Sequence, residues 1–138
     1  MAVVATPVFT QRPFLGLAQI LPADTTTAKT VVTAGADGTK ITAITASSND
    51  ASRIVQISLV RSAVVYILTT VTVAANAGTD GTAAAVNLIN STIIPGLPID
   101  NDGQPYLFLK SGDTLTAAVT VTVTAAKTIS IAAIGADF

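Results

Sequence analysis

The sequence contains no cysteine, no histidine, no glutamate and no tryptophan. Without cysteine there is no disulfide framework and no thiol nucleophile. Without histidine, serine triads, imidazole acid-base chemistry and the usual zinc sites are excluded. Without glutamate every acid is an aspartate, and the bidentate ligand that closes an EF-hand calcium loop is missing. Charge is scarce as well. Charged residues make up 11% of the chain, against about 25% in an ordinary soluble domain. The basic residues Arg12, Lys29, Lys40, Arg53, Arg61, Lys110 and Lys127 are scattered singly, so the clustered basic footprint of a nucleic-acid interface is absent. Aromatic residues are only 4%, with Tyr66 and Tyr106 the only tyrosines, which leaves little flat surface for sugar recognition.

No segment reads as a membrane span. The charge-free stretches Ser62–Thr79 and Gly81–Ile99 are long enough, but Thr69, Thr70, Thr72 and Asn76 interrupt one and Asn87, Asn90, Pro95 and Pro98 the other. Both read as strand plus loop. The opening residues have no basic n-region, and their apolar run is too short for a signal peptide. Without cysteine the chain can fold equally well in a reducing cytoplasm.

Half of the residues are apolar. They are Ala, Val, Ile and Leu, with Thr as the main polar companion. Val, Ile and Thr are stiff at χ1 and suit a pleated surface better than a helix. A mean hydropathy of +0.65 is high for a monomer that must avoid apolar patches. A surface of Thr, Ser, Asn and Ala gives up water cheaply, so it points to burial against another protein.

Residues 1–27 differ from the rest. Pro7, Pro13 and Pro22 interrupt the segment, which reads as an extended arm with one possible strand over Phe14–Ile20. From residue 28 to 138 the pattern is strand and turn. Strands are expected over Lys29–Ala34, Thr39–Ser47, Arg53–Val60, Val64–Val73, Tyr106–Lys110, Thr114–Thr124 and Thr128–Ile134. Asp37-Gly38, Asp80-Gly81 and Asp102-Gly103 mark turns. Ala83–Ile94 is the only stretch with any helical character, and Asn87, Asn90 and Thr92 make it a poor helix. Val64–Val73 is apolar on both faces and is expected to be covered on both. Eight strands at these spacings predict an all-β, eight-stranded antiparallel β-sandwich. A jelly roll is the expected form, with an immunoglobulin-like Greek key as the alternative.

Every aspartate except Asp137 lies in an expected turn or, for Asp24, in the amino-terminal arm, where local hydrogen bonding explains it. No catalytic residues and no cofactor are expected. The oxygen-rich loop Asp100-Asn101-Asp102-Gly103 reads as a turn before it reads as a metal site.

Three stretches resemble small virion proteins of tailed phages: Thr33-Ala34-Gly35-Ala36-Asp37-Gly38-Thr39-Lys40-Ile41-Thr42-Ala43-Ile44; Ile94-Pro95-Gly96-Leu97-Pro98-Ile99-Asp100-Asn101-Asp102-Gly103 followed by Tyr106-Leu107-Phe108-Leu109; and the closing Gly135-Ala136-Asp137-Phe138. Together they are similar to head cement (decoration) proteins. That resemblance implies a jelly-roll subunit on the outer surface of the virion head, bound to the major capsid protein and to itself as a dimer or trimer. It brings no catalytic residue, and it implies no nucleic acid, membrane or small-molecule substrate as partner. The alternative is a receptor-binding or tail-fibre-tip β-domain. Terminal position and bulk select Phe9, Arg12, Phe14 and Phe138 as candidate capsid or subunit contacts.

Overall fold

The computed structural model describes residues 9–138. The runs of Val, Ile and Thr become nine strands: β1 (Arg12–Ile20), β2 (Lys29–Thr33), β3 (Thr39–Ser48), β4 (Arg53–Arg61), β5 (Val64–Val73), β6 (Val86–Asn87), β7 (Leu107–Leu109), β8 (Thr114–Val119) and β9 (Ile129–Asp137). A 3-10 turn spans Pro22–Asp24, and the described residues contain no α-helix. One sheet has the order β1-β9-β3-β6, with β7 also on β3; the other has the order β2-β8-β4-β5. All strand pairings are antiparallel. The protein is an all-β antiparallel sandwich, as the alternation of its strands implies.

The pairing runs first with last. β1 joins β9, β2 joins β8, β3 joins β6 and β7, and β4 joins β5. β9 also joins β3 and β8 also joins β4, which completes the two sheets, and the β4–β5 hairpin lies within one of them. The inner faces supply the core, with Val32, Ile41, Ile44, Val55, Ile57, Leu115, Ile129 and Ile131 all almost fully buried.

Several elements differ from expectation for identifiable reasons. β1 starts at Arg12 and pairs over its whole length with β9, so this part of the expected 1–27 arm belongs to the sandwich; residues 1–8 lie outside the described residues. The two-residue β6 raises the expected eight strands to nine. Ala83–Ile94 forms no helix because its asparagines capture backbone donors. The Asn87 Oδ1 accepts from Ile44 and Ile89, and the Asn90 Oδ1 from Thr92. Leu88, Ile89 and Ile94 of this irregular segment, with Leu97 just beyond it, are buried in the core. The strand expected over Thr114–Thr124 stops at Val119. Beyond the bond from the Thr120 N–H to the Ile54 carbonyl, the alternation fails, and Val121 is exposed while Val123 is buried.

Two glycines permit close backbone approaches. A Cβ on Gly16 would strike the carbonyl oxygen of Val31 where β2 crosses β1. A Cβ on Gly135 would strike the carbonyl oxygen of Lys40, beside the bulge between Ile41 and Ala43.

Candidate interaction surface

In an antiparallel sandwich the outward face of each strand normally meets water and carries polar residues. The outer face of the β1-β9-β3 sheet departs from this. Leu15 pairs with Ile134, which pairs with Ala43; Leu17 pairs with Ala132, which pairs with Thr45. Leu15 is 61% exposed, Leu17 68% and Ile134 47%. These rows contain no charge. The face is therefore apolar along β1 and β9 and shades into Thr45, Gln19, Ser47 and Ser130 at one end.

A second uncovered region is the tip of the β4–β5 hairpin. The turn residues Ser62 and Ala63 both have positive φ, 50° and 62°, which is the geometry a two-residue hairpin turn demands. β5 is an edge strand. Towards its far end Leu68 and Val71 pack partly against the core and Val73 is fully buried, but Val64, Val65, Tyr66 and Ile67 are 49–62% exposed. The expectation that β5 would be covered on both faces therefore fails at the tip. Four successive residues, which point alternately to the two faces, are all open, so neither face of the tip is shielded.

The tip is held by an ion pair. Arg61 donates from Nε and Nη2 to the two oxygens of Asp113, at 2.7 and 2.6 Å, and the Lys110 N–H donates to the same carboxylate. Asp113 is buried. The Arg61 guanidinium holds its carboxyl below the ordinary aspartate range, against the opposing effect of burial. At the opposite end of the sandwich, Asp50 accepts from the Ala51 N–H, from Arg53 Nε and from the Thr124 N–H at 2.7, 2.8 and 2.9 Å. Burial pushes this carboxyl up, but the bonds from Thr124, Ala51 and Arg53 outweigh it and hold the group far below its usual value. Both buried carboxylates are thus committed to tying loops to strands. Asp100, in the oxygen-rich loop, accepts from the backbone of Asp102 and Gln104 and lies 3.9 Å from Lys40 Nζ. Among the described residues, no three acidic side chains converge.

Aromatic residues gather where β7 meets β3. Tyr106 packs edge-on to Phe108 at 4.7 Å between ring centres, Phe108 lies 5.4 Å from Phe138, and Lys40 Nζ sits 4.6 Å over the Tyr106 ring. Beside them an open cleft is lined by Gly38, Arg61, Phe108, Leu109, Lys110 and Phe138.

The four contacts selected from the sequence fall as follows. Phe9 is 71% exposed. Arg12 is exposed at the start of β1, opposite Asp137. Phe14 packs partly against the chain's own core. Phe138 leans on Phe108, and its N–H donates to the Gly38 carbonyl. The register of β1 with β9 brings Arg12, Phe14 and Phe138 to one end of the sheet. The larger apolar surfaces, Leu15, Leu17 and Ile134 together with Val64–Ile67, are not among these choices. Leu15 and Leu17 alternate with Gly16 and Ala18, and an apolar strand whose small residues point inward was the available signal for the first group. Comparison with family models, with curated proteins and with solved structures gives no match.

Proposed function

We propose that this chain is a structural adhesive subunit that decorates the outside of a tailed-phage capsid and stabilises joints between major capsid subunits. The observation that carries the reading is the uncharged apolar outer face formed by Leu15, Leu17 and Ile134. Burying what remains exposed of these side chains against a partner is worth about 1–2 kcal/mol each. A rigid sandwich laid across a joint in this way adds to shell stability by mass action. The jelly-roll form belongs to the same proposal. Pairing of β1 with β9 and of β2 with β8, and the placement of β1 to β4 alternately in the two sheets, support it, whereas immunoglobulin-type sandwiches group their strands as ABED and CFG.

The aromatic cluster of Tyr106, Phe108 and Phe138 favours a second reading, a receptor-binding domain at a tail tip. Immunogold labelling of particles that carry the chain separates the two, since heads label in one case and tail tips in the other. On the capsid reading, Leu17→Asp combined with Ile134→Asp lowers co-sedimentation with capsid shells at least ~10-fold. Unchanged co-sedimentation of this folded variant would remove the outer face from the mechanism.

A further inference from the structure

The free edge of β5 is unlike the other sheet edges among the described residues. β2 has five residues and begins with Lys29; β6 and β7 have two and three. β1 carries Arg12 and Pro13 and is approached by β2 at Gly16. β5 runs for ten residues without a charge or a proline. Long uncharged edges are templates for strand addition, and folded proteins normally guard them.

We propose that two copies of this chain pair through β5, antiparallel, about a two-fold axis at Tyr66. The two-residue turn makes Arg61 and Val64 a hydrogen-bonded pair, and Leu59 with Tyr66 the next one. Val65 and Ile67, opposite Val60 and Ser58, then direct their N–H and C=O groups to the free side. The irregularity between Ile57 and Ser58, which leaves Leu68 without a direct partner, ends this regular stretch. With Tyr66 opposite Tyr66 of a second copy, Val65 faces Ile67 of that copy, and the outward backbone groups of both are satisfied.

A two-fold contact needs a strand that is its own complement. Here both flanks of Tyr66 are β-branched aliphatics, so apolar meets apolar on both faces. The nearest charge, Arg61, is already paired with Asp113, so the axis brings no bare like charges together. This complementarity favours a second copy over an unrelated strand. The contact is short, below the roughly 1,200 Å² of a standard interface, and therefore weak and concentration-dependent. It leaves the outer face with Leu15, Leu17 and Ile134 free, so self-pairing and capsid docking stand or fall separately.

The chain has no cysteine, so Tyr66→Cys introduces a single thiol. Directly opposed residues of a non-hydrogen-bonded antiparallel pair have Cα atoms about 4.5 Å apart, within disulfide reach. Under mild oxidation the Tyr66→Cys chain should form a disulfide dimer at least ten times faster than Thr70→Cys, whose copies would stand roughly 26 Å apart at about 3.3 Å per residue. Adding Val65→Lys should reduce the Tyr66→Cys rate to that of Thr70→Cys. Equal rates for the two single variants overturn the proposal. Independently, sedimentation equilibrium of the wild-type chain should show a dimer fraction that rises with concentration and disappears in Val65→Lys. A wild-type chain that stays monomeric, or a dimer indifferent to Val65→Lys, also overturns it.

Discussion

Replacing Asp50 tests whether one buried carboxylate holds the loop end of the sandwich. Asp50 lies between β3 and β4 and is almost fully buried. It joins Arg53 and the Ala51 N–H of its own corner to the Thr124 N–H, 74 residues away in sequence. Asp50→Ala strands three donors. An unsatisfied buried donor costs about 1–3 kcal/mol, and because Ala51 and Thr124 are exposed residues that water can reach, the low end applies. The expected loss is about 3 kcal/mol at pH 7. Asp50→Asn keeps one acceptor oxygen and should lose about 2 kcal/mol. Against the roughly 7–20 kcal/mol available to a domain of 138 residues, either loss is readily measured by urea unfolding. The pH dependence gives a sharper criterion. The native carboxyl is held well below the value of about 3.9 that it takes in the unfolded chain. As pH falls through 4, the unfolded chain binds a proton that the native protein refuses. The Asp50 contribution is therefore complete above about pH 5 and drains away below pH 4, by up to ~1.4 kcal/mol per pH unit. Asp113, lowered in the same direction by Arg61, adds a second slope of the same sign. Asp50→Asn should flatten the acid limb by its own share and leave that of Asp113. Equal stability of Asp50→Asn and wild type at pH 7, together with an unchanged acid slope, would refute the reasoning.

Gly16→Ala and Gly135→Ala each place a methyl group against a backbone carbonyl that cannot step aside without moving a strand. Each should cost about 3 kcal/mol, at the upper end of overpacking effects, and thermal unfolding will register either; a shift within error for both would contradict the close approaches. Ser62→Asn with Ala63→Gly supplies the residues preferred at positive φ in a two-residue hairpin turn and should stabilise by about 1 kcal/mol, raising Tm by about 4 °C. A lower Tm in calorimetry would show that the turn is not strained as its φ values indicate.

Much of the sandwich is legible from local pattern. The expected bounds of β5 coincide with those observed, and those of β2, β3 and β4 agree within one residue, because runs rich in Val, Ile and Thr are separated by short polar or small-residue turns. The break between β4 and β5 is legible, but the positive φ of Ser62 and Ala63 is not, since neither residue favours it; the hairpin imposes it. Gly16 and Gly135 look like incidental glycines until the chain crossing beside each is known. The Asp113–Arg61 pair joins residues 52 apart, and nothing in the sequence around either announces the other.

What the sequence determined is therefore local: which stretches are strands, which face of most of them is apolar, the absence of histidine, cysteine and glutamate, and a surface poor in charge. These follow from side-chain shape and from the two-residue period of a strand. Only the tertiary structure decided which apolar residues stay uncovered. Val64, Val65 and Val73 are the same residue type on one strand, yet the first two are open and Val73 is fully buried, because coverage depends on what the opposite sheet places there. Exposure is a property of the neighbours and not of the strand, so the uncovered apolar surface became visible only once the sheets were stacked.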